Sequence, residues 1–552
     1  MFSSFPSIGQ SLSSRHIDFL KVFSKSARGA IVQMVTNANS GHPGGSCSVI
    51  DYLSLIYAFI VSQTGDPVVV SNGHVSPAVY ASLAEMGIIP RQAVIDTFRK
   101  AGSIYEGHIT RHVKGVEYGT GPLGVGVSVA SGFAKAFQLT GDQHRVFGLV
   151  GDGEAQEGQV YEMMHFANKY KLSNFTLFVD YNQVQLSDSL KKIMPMDLKK
   201  IFESGHWNVL EVDGHDYQAL WQAVSKSYTS DRPTVLLGKT IMGKGVEFME
   251  ADGRAIKATW HGIAPKPEQT EAAMANELKM TDEENQLLHD FRASVQWHPE
   301  DPLAHDIAPL TPMKNVQTGT PRLVPAGETS DCRSAYGKAL LDLAKLNDNV
   351  VALTADLAGS VKTDVMGKEF PERHIDVGIA EQHMVSCAGG MSFKGLIPFC
   401  STFGAFMSSR AKDQARVNDI NRANVKMVAT HCGLSVGEDG PTHQAIDDMG
   451  SFLGLLNTHV LEPADANQTD HIIRYVASHY GNFYVRMGRH KYSVLTKEDG
   501  SVFYDENYRY EYGKADHVRR GDQVTVVAFG STSMVAMKAI EALKDKVSVD
   551  FW

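Results

Sequence analysis

The feature that most constrains this chain is an apolar run ending in a charged glycine turn, Val146-Phe-Gly-Leu-Val-Gly-Asp152-Gly-Glu. A run this short and this apolar reads as a strand buried on both faces, the kind found in parallel sheets. The carboxyl end of such a strand is where open α/β sheets bind ligands. A second apolar run, 175–179, leads into Asp-Tyr-Asn182-Gln-Val184. The glycines let the backbone approach a diphosphate closely. The Asp152 carboxylate, the Asn182 amide oxygen and a carbonyl such as that of Val184 are three hard oxygen donors. With two diphosphate oxygens and a water they would complete an octahedral Mg²⁺ shell. Taken alone, Gly-Asp-Gly reads more readily as an ordinary turn and Asn182 as an ordinary loop residue.

The same alternation of strand and helix recurs along the chain. The first region, 15–265, has candidate strands at 146–150, 175–179 and 234–237. A Pro- and Glu-rich stretch, 266–325, reads as a linker with some helix. The second region, 326–500, has candidate strands at 350–353, 425–429 and 483–485, with a small-residue helix over 381–393. A third, 511–552, offers a strand at 524–529, a helix at 533–543 and a strand at 547–551. One strand–helix–strand unit cannot bury both faces of a sheet, so it either adds to a neighbour or is a shortened domain.

The net charge of −10 gives the chain no general attraction for nucleic acid or anionic membrane. Five scattered Cys, with no Cys-x-x-Cys, argue against disulfides or structural zinc and favour a reducing, cytoplasmic setting. No apolar stretch approaches the ~18–20 residues of a membrane span; the longest, 49–61, contains Asp51. The Ser-rich start has no basic patch followed by an apolar run, and so is not a secretory signal.

Further motifs give the glycine turn its context. Ala38-Asn-Ser-Gly-His42-Pro-Gly-Gly, Ser71-Asn-Gly-His74, Thr120-Gly-Pro-Leu123-Gly and Gly437-Glu-Asp-Gly-Pro-Thr-His443-Gln follow in order. Together with Asp152 and Asn182 they resemble the transketolase family from about Gly29 to His490. Trp260-His261-Gly262 is similar to the short prokaryotic type, with a shortened third domain. Gly119-Thr-Gly121-Pro-Leu-Gly124 also fits a dinucleotide fingerprint, but no apolar strand precedes it and Pro122 interrupts the loop, so that reading is set aside.

The resemblance implies a parallel-sheet thiamine-diphosphate-binding α/β fold, with two complete domains (diphosphate-binding, then pyrimidine-binding) and a truncated third. It implies thiamine diphosphate with Mg²⁺, Ca²⁺ or Mn²⁺ being alternatives, and metal ligation by Asp152, Asn182 and Val184. Glu381, at the start of its helix, would hold the ring nitrogen of the aminopyrimidine, and Phe403 and Phe406 would cradle the ring. Ser409 stands where many relatives carry a third aromatic. His74, His108, Gly121, Leu123, Gly153, Glu162, Asn182, His261 and Asp356 would complete the cofactor site. His42, His74, His261 and His443 would serve catalysis with Glu381. Arg333, Ser360, His431 and Arg489 would bind a sugar phosphate whose hydroxyls meet His42, His261, Asp439 and His443, with Arg486 competing for the role of Arg489. Glu157 and Glu162 would face a second subunit in a homodimer with shared active sites.

The reaction implied is transfer of a two-carbon ketol unit from a ketose phosphate to an aldose phosphate through a thiamine-diphosphate carbanion. The alternatives are a 1-deoxyxylulose-5-phosphate synthase-like enzyme using pyruvate, and an inactive cofactor-binding paralogue. Retention of Glu381 and of the metal donors argues against the latter.

Overall fold

In the computed structural model, which describes residues 5–299 and 310–552, five strands of the first region form one parallel sheet. They are β1 (Val68–Val70), β2 (Val146–Gly151), β3 (Phe175–Tyr181), β4 (Asn208–Asp213) and β5 (Thr234–Lys239), in the order β1-β2-β3-β5-β4. Residues 1–306 make one compact unit and 307–552 another. β2 and β3 are buried along nearly their whole length, as their composition requires of central strands covered on both faces. β1 and β4 were not legible as strands. β1 is only three residues long, and β4 is a half-exposed edge strand with polar residues.

The helices of this unit begin with α1 (Ser14–Ala38), capped by the Ser13 side chain, which accepts from the His16 amide at 3.3 Å. The expected 49–61 stretch belongs to a longer helix, Pro43–Thr64, that starts as α2 (Pro43–Leu55) and widens into a π-helical turn over Ile56–Val61. By length and composition this helix could cross a membrane, which corrects the shorter estimate; 94% of its apolar window is buried within the unit. Asp51 is tolerated there because it is fully partnered. Arg28 donates to it at 2.6 Å, His215 Nδ1 lies at 2.7 Å and the Tyr217 hydroxyl at 2.7 Å. Burial alone would raise its pKa, but Arg28 and His215 outweigh that and hold the carboxyl far below the usual range.

α3 (Ser76–Glu85), α4 (Val125–Thr140), α5 (Gly158–Lys169) and α6 (Tyr217–Ser227) complete the layers that position the site. Within the stretch read as a linker, α7 (Pro267–Ala275) and α8 (Asp282–Ser294) pack on α1. The remainder of that stretch over 300–309, like residues 1–4, lies outside the described residues.

The second unit repeats the plan with six parallel strands. These are β6 (Val350–Thr354), β7 (His374–Asp376), β8 (Ile397–Phe403), β9 (Lys426–Thr430), β10 (Thr458–Leu461) and β11 (Asn482–Arg486), ordered β10-β11-β9-β8-β6-β7. β8 escaped the sequence reading because Pro398 and three hydroxyl or thiol residues interrupt its apolar pattern; the proline sits near the strand's start. α9 (Cys332–Leu346), α10 (Glu381–Phe393), α11 (Gly404–Ser409) and α12 (Ala466–Ala477) surround the sheet.

The third region comprises β12 (Val524–Val526), α13 (Thr532–Leu543) and β13 (Val549–Phe551). The strand expected over 524–529 stops at Val526, leaving Val527 and Phe529 exposed, because β12 pairs only with β13 among the described residues. Met534, Met537, Ile540 and Phe551 close a small core on Ala464 and Leu495. The region thus adds to its neighbour.

Candidate active site

In the first unit a cleft of about 590 Å³ opens at the carboxyl ends of β2 and β3. Two glycines explain how distant segments converge there. A Cβ on Gly44 would stand 2.6 Å from the Trp260 carbonyl; without one, the Gly44 amide donates to that oxygen at 2.9 Å, bringing His261 beside His42. A Cβ on Gly73 would lie 2.4 Å from the Thr120 carbonyl, so glycine lets the Thr-Gly-Pro-Leu loop close on His74. The ring centroids of His42 and His74 are 5.0 Å apart, of His42 and His261 5.8 Å, of His74 and His261 5.7 Å, and of His42 and His108 6.2 Å. Burial, then the neighbouring His261 and Arg99, push His42 down to about 4; burial, then His42, push His74 down to about 3. Burial lowers His108 and His261 as well. The cluster is therefore neutral at pH 7 and can both donate and accept hydrogen bonds.

The opposite wall is acidic. Asp152 accepts from the Gly153 amide at 2.7 Å and from the Gln183 amide at 2.5 Å. Asn182 donates to Asp180 at 2.8 Å while its amide oxygen accepts from the Val184 amide at 2.8 Å. Burial, helped by the charge of Asp180, raises Asp152 to about 8; burial raises Glu154 to about 7 and moves Asp180 upward. Among the described residues, no lysine or arginine lines this cleft. Buried carboxylates with no cationic partner suit a divalent cation. Among the described residues, no three His, Cys, Asp or Glu side chains form a metal cluster. The expected set has one such side chain and draws its other donors from an amide, a carbonyl and the diphosphate. Asn72 Oδ1, Gln156 Nε2 and Gln185 Oε1, all in the cleft wall, are buried without a hydrogen-bond partner, which fits a polar ligand.

The expected residues His42, His74, His108, Gly121, Leu123, Asp152, Gly153, Asn182, Val184 and His261 all line this cleft. Glu157 also lines it, whereas Glu162 sits half-buried on α5 and does not.

In the second unit most of the other expected residues form a chain of contacts. Glu381 opens α10, only 3% exposed, and Arg410 Nη1 donates to both its oxygens at 3.2 Å. Arg410 lies over the Phe406 ring, 4.8 Å from its centroid. Phe406 stacks on Phe403 at 5.7 Å, and the Phe403 and His431 rings meet at a 31° tilt with centroids 3.9 Å apart. His443 meets both phenylalanines, at 5.2 Å and 6.0 Å. Arg333 Nη1 lies 3.4 Å from His431 Nε2 and donates to the Ser360 carbonyl at 3.1 Å; its Nη2 donates to the Arg489 carbonyl at 3.1 Å. Arg489 reaches Glu438 at 2.7 Å and Asp439 at 3.7 Å, partners in an exposed loop. Arg486, by contrast, is held by Asp448 at 2.8 Å and Glu462 at 2.6 Å, both buried. Burial and the two arginines Arg333 and Arg489 push His431 down to about 4. Asp356, exposed with a left-handed φ of 58°, follows β6 and donates its amide to Asp376 at 3.1 Å.

Four charged residues of these sites were not found by sequence reasoning. Arg99 donates to Ser40 at 2.7 Å and approaches His42 Nδ1 at 3.4 Å. Glu154 accepts from the Ser71 hydroxyl at 2.6 Å and the Gly124 amide at 2.7 Å, tying two cleft loops to the end of β2. Asp180 and Arg410 are the others. Glu154 and Asp180 carry a weak signal, acids flanking Asp152 and Asn182; Arg99 and Arg410 carry none.

Comparisons with known proteins identify the family. The family model described as the transketolase thiamine diphosphate binding domain matches residues 21–293, and the transketolase pyrimidine binding domain matches 328–494. Mouse transketolase is 32% identical over 537 residues, covering 94% of this chain and 81% of the relative. Mouse transketolase-like protein 2 is 34% identical over 526 residues, covering 92% and 79%. Among solved structures, transketolase from Campylobacter jejuni superposes with a TM-score of 0.81 at 24% identity, covering 97% of this chain and 88% of that one; this likeness concerns the fold. The chain belongs to the transketolase family, and its function is that of a transketolase-like, thiamine-diphosphate-dependent transferase.

Proposed function

We propose that this protein is a transketolase, moving a two-carbon ketol unit from a ketose phosphate to an aldose phosphate. The observation that carries this reading is the run of contacts in the second unit from Glu381 through Arg410, Phe406, Phe403 and His431 to Arg333. It joins a buried carboxylate and an aromatic cradle, suited to a flat heterocycle, to a pair of arginines suited to a phosphate. Bound thiamine diphosphate supplies the electron sink that lets a carbon–carbon bond beside a ketone break and re-form.

The residues do the rest. Asp152, Asn182 and the Val184 carbonyl would hold Mg²⁺ against the diphosphate, and the buried, cation-free state of Asp152 supports that role. Glu381 would hold a proton at the pyrimidine ring nitrogen. The neutral His42, His74 and His261, with His443 and Asp439, would orient sugar hydroxyls and pass protons. Arg333, Ser360, His431 and Arg489 would bind the terminal phosphate; the tight pairing of Arg486 to two buried acids supports Arg489 for this task.

The test is an assay with Mg²⁺ and thiamine diphosphate, comparing xylulose 5-phosphate plus ribose 5-phosphate with pyruvate plus glyceraldehyde 3-phosphate. Turnover of the first pair is expected; turnover of the second pair alone would overturn the reading in favour of a deoxyxylulose-phosphate synthase, and turnover of neither would favour an inactive paralogue.

The reading extends to a homodimer in a cytoplasmic setting, which the five buried free thiols support. Each unit carries a partial set of groups, and the Asp152 set of one copy would complete the Glu381 set of another. Asp152→Asn and Glu381→Gln proteins, each inactive, should regain up to about a quarter of wild-type activity when mixed and re-formed, since half of randomly paired dimers carry one intact site. No recovery after demonstrated subunit exchange would sink the shared site.

A further inference from the structure

Arg410 has no assigned role, yet it occupies the two surfaces that an aminopyrimidine would need. Its Nη1 donates to both oxygens of Glu381 at 3.2 Å, and its guanidinium covers the Phe406 ring at 4.8 Å. A flat ring that bonds to Glu381 and stacks on Phe406 must use the same carboxylate and the same aromatic face. Arginine and ring cannot hold both at once.

The two partners of the ion pair are unequal. The Glu381 side chain is 3% exposed and Arg410 is 48% exposed. The arginine backbone is anchored just after α11, where its amide donates to the Phe406 carbonyl at 3.0 Å. Within the chain its guanidinium is therefore free to swing away, while the carboxylate cannot follow. A carboxylate buried without a partner is costly, so the arginine also covers Glu381 when no ring is present.

We propose that Arg410 is a placeholder for the aminopyrimidine ring, pairing Glu381 and shielding Phe406 in the cofactor-free protein and leaving both when the cofactor binds. The inference rests on the reading of Glu381 as the partner of the ring nitrogen. Removing the placeholder removes a competitor, so Arg410→Met should bind thiamine diphosphate more tightly. The gain expected from a half-exposed ion pair is about two- to fivefold in dissociation constant.

The experiment is calorimetric titration of the full-length protein with thiamine diphosphate in the presence of Mg²⁺. Arg410→Met and Arg410→Gln should both tighten binding, and Arg410→Lys, which restores the charge, should return the affinity toward wild type. In a Glu381→Gln background the gain from Arg410→Met should shrink, because the arginine no longer has an anion to hold. Unchanged or weakened binding in both uncharged variants, with circular dichroism showing intact folds, would overturn the placeholder and make Arg410 a structural or cofactor-contacting residue. Failure of the underlying reading has a different signature: Glu381→Gln alone would then keep wild-type turnover.

Discussion

The two units each present buried acids at the carboxyl ends of a parallel sheet, but they treat charge in opposite ways. In the first, Asp152, Glu154 and Asp180 line a wall with no lysine or arginine among the described residues, and the facing histidines are kept neutral by burial. In the second, Glu381 is covered by Arg410, and His431 sits beside Arg333 with Arg489 near. A wall of unpaired carboxylates is short of a cation, whereas a pocket rich in guanidinium is short of an anion. On the proposed reading, the first site would take a metal–diphosphate and the second a neutral ring with a phosphate beyond it.

The sharpest way to break this contrast is Asp152→Asn. Metal-dependent binding of thiamine diphosphate should be lost, because the one full charge the protein would give the metal is gone. The cofactor-free protein should nonetheless become more stable. Asp152 titrates near 8 in the folded chain, against about 4 for an ordinary carboxylate. The folded state then binds the proton more tightly than the unfolded state, so stability falls as pH rises from about 4 toward 8. The variant removes that loss, with a gain on the order of 1–3 kcal/mol at pH 8 and little difference at pH 4. Melting curves of both proteins across this range, without metal, check the sign; a destabilised variant at pH 8 would mean the carboxylate is already compensated.

On the other side of the comparison, Arg489→Ala should raise KM for phosphorylated donors by about tenfold and leave hydroxypyruvate nearly untouched. Arg486→Ala should instead destabilise the protein for every substrate, because it strands Asp448 and Glu462 in the interior. Equal losses for phosphorylated and unphosphorylated donors in Arg489→Ala would erase the anionic character assigned to the second site.

How much of this was readable beforehand follows the same division. Central strands such as β2 and β3 announce themselves because both faces are buried and most positions are apolar. Edge strands such as β4 and β10, half exposed, and β8 with its proline do not. Motif residues are legible where backbone geometry forces the residue type, as at Gly44 and Gly73. Arg99 and Arg410 come to the sites from loops by side-chain reach alone, and no local pattern records where a long flexible side chain ends. The length of the buried helix was underestimated for a related reason. Its first turns carry Gly, Ser and Cys, which look polar in a row but are buried against the rest of the unit.

The smallest expected effect concerns the histidines of the first cleft and runs opposite in sign to that of Asp152. His42 is held at about 4 by burial, then by the charges of His261, Arg99 and His108 if they ionise. Its unfolded value is near 6.5, so between about 6.5 and 4 the unfolded chain binds more protons than the folded one. Stability contributed by the neutral imidazole is therefore present above pH 6.5 and is lost as pH falls through this window. His42→Gln keeps a hydrogen-bonding side chain but cannot titrate. It should leave melting unchanged within about 0.5 kcal/mol at pH 7.5 and lose stability less steeply than wild type on acidification. Over the same range the carboxylate wall pulls the other way, so the double variant with Asp152→Asn tests whether the two slopes add. Residues that share one cleft can couple, and a departure from additivity above about 0.5 kcal/mol would show that the histidines and the acid wall sense each other directly. A wild-type acid slope in His42→Gln would instead mean that the folded imidazole titrates near its unfolded value, and a steeper slope in the variant would mean that the imidazole is charged at neutral pH and supplies the cation that the wall otherwise lacks.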